Sequence, residues 1–271
     1  MNKISAVVIA KNEENIIVDC IDSVSFCDEI IVINNNSTDQ TSSIAKKMGA
    51  RVFDVDTDDF SKLRNYGLEK ASCDWILYID ADERVTSELA RSIKYQVSSI
   101  KNKDVGAYKT KRKNFYYGSS KKNEWPYIEH IVRLFRKDKL EGWTGKIHES
   151  PDIHGEVEEL DGFLLHYSHR DLSSMVSKTI EWSQIEAELR FNAHHPKITW
   201  WRFPRVMMSA FFDSYVRQRG WKAGTIGIIE SFYQSFSMFI TYARLWEIQN
   251  KVRIQSSRQT QDENTKVKSE N

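Results

Sequence analysis

The 271 residues are enough for one large domain or one and a half ordinary ones, and an apolar fraction of 40% supports a real core. Thirty-nine basic against 38 acidic residues leave a formal charge of +1, so nothing global argues for DNA or RNA, and no nucleic-acid partner is expected. Cys20, Cys27 and Cys73 form no CxxC pair, which argues against a disulfide framework or a zinc site and fits a reducing, cytosolic setting.

A short apolar run over 4–9 leads straight into Lys11-Asn12-Glu13-Glu14, with no long apolar region or small-residue cleavage site. It is expected to be a first strand and not a signal peptide. A helix over 13–24 follows, with Ile16, Ile17, Cys20, Ile21 and Val24 on one face. The unit then repeats: a strand over 29–33, a loop of turn formers Asn34-Asn35-Asn36-Ser37-Thr38-Asp39, and a helix over 40–48 stopped by Gly49. A strand over 51–55, a helix over 61–71 and a strand over 75–79 complete three β-α steps. Such alternation predicts an α/β fold, a mostly parallel sheet flanked by helices. Ligands of these sheets sit beyond the carboxyl ends of the strands, which brings 10–12, 34–39 and 80–83 to one edge. Neither GxGxxG nor GxxxxGK[ST] occurs, so a nucleotide must be held by other means.

Beyond a helix over 87–100 the pattern turns to β-like pieces over 105–110, 131–135 and 162–167. Helical periodicity returns over 172–191, 203–217 and 225–250. We therefore expect a catalytic domain over 1–170, divided into a nucleotide-binding half (1–100) and an acceptor half (101–170), a helical extension over 171–250, and a disordered polar tail over 251–271.

The apolar strand Trp75-Ile76-Leu77-Tyr78-Ile79 stops abruptly in Asp80-Ala81-Asp82-Glu83. In extended backbone Asp80 and Asp82 point to one side, two hard oxygen donors that can hold a divalent ion together with a substrate's phosphates. The alternative is a solvated loop whose acids suit the dipole of the helix that follows.

In order and spacing, Val7-Val8-Ile9-Ala10-Lys11-Asn12-Glu13-Glu14, Asn34-Asn35-Asn36-Ser37-Thr38-Asp39-Gln40-Thr41, Arg64-Asn65 and Ile79-Asp80-Ala81-Asp82-Glu83 resemble the inverting family 2 glycosyltransferases of the GT-A fold. Gly145-Lys146-Ile147-His148-Glu149 and Leu164-Leu165-His166-Tyr167 are similar to the branch with lipopolysaccharide core β-glucosyltransferases. The resemblance implies a nucleotide-sugar donor, best taken as UDP-glucose, with Mg2+ or Mn2+, inversion at the anomeric carbon, and a saccharide or glycolipid acceptor in cell-surface glycan assembly. It implies that Ala10, Asn12, Glu13, Asn34, Asn35, Asp39, Arg64, Asp80 and Ala81 bind the donor, and that Asp80 and Asp82 hold the metal. Asp82 then serves catalysis at the leaving group, and Glu149 is the base that takes the acceptor proton. Asn34 or Asn35 stands where the family commonly has aspartate, so base recognition here carries no charge. Arg64 on a solvated helix face and Glu149 in an ordinary loop are the plain alternatives. A sugar nucleotidyltransferase would be expected to show a glycine-rich N-terminal loop, and 6–14 has no glycine. A noncatalytic membrane-associated scaffold with the same fold is the reading from another class.

Of the histidines, His166 at a strand end is a candidate for a secondary metal or phosphate role, and a structural role is the alternative. Lys109-Thr110-Lys111-Arg112-Lys113 with Phe115-Tyr116-Tyr117 suits a loop facing the phosphates of an acidic, lipid-linked acceptor. In the last third, Trp200-Trp201-Arg202-Phe203-Pro204-Arg205, Phe211-Phe212, Phe232, Tyr233, Phe236, Phe239 and Tyr242 interleave rings and cations as interfacial helices do. Residues 223–243 lack Lys and Arg, but Glu230 and Gln234 argue against a span. We expect helices on the cytoplasmic face of the inner membrane; a soluble subdomain packing these rings inward is the alternative.

Overall fold

The computed structural model describes residues 2–99, 104–118, 120–146, 149–168 and 171–269, with side chains described as far as Lys251. Four parallel strands build its first half: β1 (Ile4–Ala10), β2 (Glu29–Asn35), β3 (Arg51–Val55) and β4 (Trp75–Asp80). Helices α1 (Ile17–Ser23), α2 (Thr41–Lys47) and α3 (Phe60–Lys70) connect them. Every residue of β1 is buried because both faces of the sheet are covered. Ala6, Val8 and Ala10 pack into one core with Ile17, Cys20 and Ile21 of α1, while Val7 and Ile9 pack into the other with Leu63 of α3. That two-sided burial explains a continuous apolar run where a one-sided strand would alternate.

The chain continues through β5 (Glu83–Val85), α4 (Ser87–Ser98), β6 (Val105–Tyr116), β7 (Glu124–Arg136), β8 (Leu140–Thr144), β9 (Ser150–Ile153) and β10 (Glu156–Ser168). The main sheet has eight strands in the order β3-β2-β1-β4-β7-β6-β10-β5, and β8 pairs with β9 separately. β7 runs antiparallel to β4, and β10 runs parallel to β6 and antiparallel to β5. Register fixes the functional edge: Ala10 pairs with Asn34, Ile9 with Asp80, and His166 with both Glu83 and Asn114.

The α/β expectation holds, with differences of local cause. α1 starts at Ile17 and not at Glu13, because Glu13 opens a tight turn that precedes the helix: its amide donates to the Thr41 hydroxyl at 2.7 Å and its carbonyl accepts from Ile16 and Ile17. Glu83, expected in a loop, lies in β5 and is fully buried. β6, β7 and β10 run to 12, 13 and 13 residues, and β8 and β9 appear where no strand was expected. Their charged and polar residues break the apolar periodicity that marks a strand.

Contacts divide the chain into two units, Met1–Ser119 with Ile128–Ser168, and Ser120–Tyr127 with His169–Asn271. The second contains α5 (Leu172–Asn192), α6 (Arg202–Phe212) with a π-helical turn over Asp213–Arg217, and α7 (Gly224–Ser269). Its core gathers Ala187, Ile198, Tyr242 and Leu245. α7 continues through the segment expected as a disordered tail; after Gly227 the sequence has no glycine or proline to end a helix, and polarity opposes burial without opposing helical backbone. Among the described residues no helix is long and apolar enough to cross a membrane.

Candidate active site

At the carboxyl end of β1, Asn12 adopts φ 56°, a left-handed conformation that asparagine tolerates. Its amide donates to Ser37 Oγ at 2.9 Å and its Oδ1 accepts from the Thr38 amide at 2.8 Å. Asp39 ties the same loops together: Oδ1 accepts from the Thr41 amide at 3.0 Å and Oδ2 from the Glu14 amide at 3.1 Å. Burial works to raise the Asp39 carboxyl, and the hydrogen bonds from Thr41 and Glu14 prevail and hold it below its ordinary value. Asn34 Nδ2 donates to Asp54 Oδ1 at 2.7 Å, while its buried Oδ1 has no hydrogen-bond partner among the described residues. A buried acceptor without a donor is costly, and a ligand N–H would satisfy it. Asn35 Oδ1 is taken by the Thr57 amide at 3.2 Å.

The other side of the edge is a network of buried charge. Arg64, only 4% exposed in its side chain, projects from α3 and donates to Glu149 Oε1 from Nε at 2.7 Å and to Asp80 Oδ1 from Nη2 at 3.3 Å. Its guanidinium lies over the Trp143 ring, 4.9 Å from the centroid, and 5.7 Å from that of Tyr78. Two carboxylates and two ring faces thus compensate a charge that burial would otherwise disfavour. Arg133 from β7 donates to Asp80 Oδ2 at 2.7 Å and to Glu83 Oε1 at 2.6 Å. Arg112 joins Glu83 Oε1 at 2.9 Å to Glu129 Oε2 at 2.8 Å. Burial would raise the Asp80 carboxyl, but Arg133 and then Arg64 overcome it and hold the group well below the usual carboxylate range.

Asp82 lies two residues on, and its Oδ2 is 3.4 Å from His166 Nε2. His166 Nδ1 is 2.7 Å from Asn114 Oδ1, and a proton on Nδ1 makes that contact. Asp82 Oδ2 and His166 Nε2 together suit a divalent cation that keeps other positions for water and phosphate oxygen, and the Asn114 contact is the kind that orients a ligating imidazole. Asp80 has both oxygens on guanidinium groups. Among the described residues no three His, Cys, Asp or Glu side chains converge as a closed metal cage.

The sequence-expected residues therefore fall into three groups. Ala10, Asn12, Glu13, Asn34, Asn35 and Asp39 line the ends of β1 and β2 or the loops after them; Arg64, Asp80 and Glu149 form one hydrogen-bonded chain; Ala81 and Asp82 occupy the turn between β4 and β5. Sequence reasoning missed Arg133, Asn114 and Trp143; it placed Arg112 in an acceptor-facing loop and gave Glu83 no role of its own, whereas 109–113 lies inside β6 and Arg112 there joins Glu83 to Glu129. Arg133 carried a signal: a lone charge inside Ile131-Val132-Arg133-Leu134-Phe135 must be paired when the strand is buried.

A sheet edge that joins polar loops to paired carboxylates and guanidiniums is where α/β proteins bind phosphorylated ligands. The chain belongs to glycosyl transferase family 2, whose family model matches residues 5–149. It is 30% identical to an uncharacterized glycosyltransferase of Rickettsia typhi, over 93% of this chain and 90% of that one. It is 25% identical to the lipopolysaccharide core biosynthesis glycosyltransferase LpsC of Rhizobium meliloti, over 90% and 92%. Among solved structures, glucosyl-3-phosphoglycerate synthase of Mycobacterium tuberculosis with Mg2+ and UDP aligns at 27% identity over 41% of this chain and 44% of that one, TM-score 0.36. TarS of S. aureus with UDP-GlcNAc aligns at 14% over 89% and 92%, TM-score 0.49. The protein is a glycosyltransferase with the GT-A type fold expected from its sequence.

Proposed function

We propose that the protein transfers a hexose, with glucose from UDP-glucose as the first choice, to a saccharide or glycolipid acceptor with inversion at the anomeric carbon. Lipopolysaccharide core or another cell-surface glycan is the product class, and the cytoplasmic face of the membrane is the place. The similarity to LpsC along nearly the whole chain supports the product class.

The observation that carries the reading is Arg64, whose guanidinium contacts Glu149 and Asp80 at once, one the last residue of the matched region and the other near its middle. Glu149 serves as the base: it takes the acceptor hydroxyl proton as that oxygen attacks the anomeric carbon, and the electron pair of the breaking C–O bond leaves on the donor diphosphate. Both Arg64 contacts fall on Oε1, so Oε2 is the oxygen offered to the proton. Asn34 receives the base edge through its Oδ1, and Asn12 and Asp39 hold the loops that shape that pocket. Asp82 and His166 would hold Mg2+ or Mn2+, which supplies a Lewis acid for the charge that develops on the leaving diphosphate. Asp80 keeps Arg64 and Arg133 in place beside it.

The test measures UDP release from UDP-glucose with Mn2+ and a lipopolysaccharide core oligosaccharide acceptor. Release that requires the acceptor and disappears in Asp82→Ala and Glu149→Gln supports the reading. Failure of every nucleotide sugar to bind, with either metal, sinks it.

A further inference from the structure

Over 228–241, helix α7 is built with its polarity reversed. Glu230, Ser231, Ser235 and Thr241 are buried, whereas Ile228, Ile229, Phe232, Phe236, Phe239 and Trp246 are exposed. Positions 228, 232, 236 and 239 advance by four, four and three residues and so line one stripe. A helix facing water puts such a stripe into the core; here Phe232 is left 63% exposed while Glu230 is 1% exposed.

The buried face shows how this is tolerated. Ser231 Oγ donates to the Gly227 carbonyl at 2.6 Å and lies 3.1 Å from Ser214 Oγ; Ser235 Oγ donates to the Met207 carbonyl at 2.9 Å; Gln234 Nε2 donates to Glu230 Oε1 at 2.7 Å. A Cβ on Gly227 would stand 1.8 Å from the Gly220 carbonyl oxygen. Small residues, close backbones and internally satisfied polar groups are how helices associate when apolar burial is not the driving force, as in lipid.

The face continues onto α6. Phe211 meets Phe232 with ring centroids 5.1 Å apart and Phe203 meets Phe239 at 5.7 Å, while Met208 and Phe212 remain 72% and 55% exposed. Cations accompany the tryptophans: Arg202 and Arg205 lie 4.9 and 5.7 Å from the Trp201 ring centroid, and Lys222 lies 5.3 Å from that of Trp221. Between Trp200 and Trp246 the basic residues are Arg202, Arg205, Arg217, Arg219, Lys222 and Arg244, against only Asp213 and Glu230. Of those acids Glu230 is buried and Asp213 is paired with Arg217 at 3.0 Å. A second copy of the chain would set these cations against themselves, which disfavours a self-complementary interface. An anionic surface complements them.

We propose that the exposed α6–α7 face docks on an anionic phospholipid bilayer, with Phe232, Phe236 and Ile229 entering the acyl boundary and Arg202, Arg205 and Lys222 meeting lipid phosphates. The helices lie in the interface. The inference rests on the membrane-face part of the proposed function and gives it a surface and a lipid chemistry.

The full chain is sedimented with vesicles of phosphatidylcholine alone or mixed with phosphatidylglycerol, following tryptophan emission. Binding to the mixed vesicles with a blue shift is expected. The pair Phe232→Ser and Phe236→Ser lowers that binding about tenfold or more. The pair Arg205→Glu and Lys222→Glu lowers it about tenfold and removes its salt sensitivity. Both variants keep the wild-type melting temperature and its rise with UDP-glucose and Mn2+. Absent binding, equal binding to phosphatidylcholine alone, variants that bind as wild type, or a dimer dispersed by the Phe232 and Phe236 substitutions overturns the proposal. A chain that binds vesicles but no nucleotide sugar overturns the proposed function and leaves the docking surface standing.

Discussion

Arg64, Asp80 and Glu149 meet in one hydrogen-bonded chain, and each substitution there separates a different task. Glu149→Gln keeps the size and most hydrogen bonds of the side chain but cannot take a proton. It should lower kcat by about 10²- to 10⁴-fold with little change in donor affinity, read by steady-state kinetics beside a titration of donor binding. Arg133→Met strips the shared partner from Asp80 and the fully buried Glu83. Two carboxylates then lose a guanidinium, and destabilisation of about 3–5 kcal/mol is expected in urea unfolding; a loss under 1 kcal/mol would show that Arg112 and Arg64 suffice. Asp80 also predicts a pH dependence. Its folded pKa lies below its unfolded one, so its contribution is fully present above about pH 4 and is lost as pH falls through the folded value. The stability gap between wild type and Asp80→Asn should therefore close on acidification below about pH 4, followed by the urea midpoint; a constant gap would show that the charge is not what matters.

Helix α3 presents Arg64 to the site, and two of its own residues fix where it lies. Asp59 caps it, accepting from the Lys62 amide, and Gly67 lets it close on β1: a Cβ there would stand 2.4 Å from Val7 Cγ1. Gly67→Ala gains helix propensity but drives the helix off the strand. The expected net is destabilisation of about 1–3 kcal/mol, with activity falling beyond what the folded fraction explains because Arg64 moves with its helix. A more stable variant, as at an open helical glycine, would contradict the packing. Element by element, the first three β-α steps were legible because the apolar runs of β1, β2 and β4 are local and bounded by turn formers such as Asn34 to Asp39. β5, β8 and β9 were not. Glu83, Arg84 and Pro151 read as loop residues, and only pairing with β10 or with each other makes those segments strands.

For the molecule as a whole, donor binding should act as a ligand that selects the native state. UDP-glucose with Mn2+ at about a hundred times its dissociation constant adds roughly 2.7 kcal/mol, a rise of several degrees in melting temperature. Removal of the metal with EDTA should abolish most of that rise if Asp82 and His166 hold the ion, and Asp82→Ala should abolish it with metal present. The sequence by itself determined the α/β alternation, the loops after β1 and β2, the acids at the end of β4, and the unusual store of rings and cations in the last third. All of these are set by neighbours a few residues apart, where backbone preference and side-chain periodicity act. Tertiary structure alone decided that Glu149 shares a guanidinium with Asp80 through Arg64, 85 residues away, and that Asp82 faces His166 across paired strands. It also decided that α7 turns Ser231 and Ser235 inward and Phe232, Phe236 and Phe239 outward. Periodicity shows that a helix has two faces; which face is covered depends on what the rest of the chain packs against it.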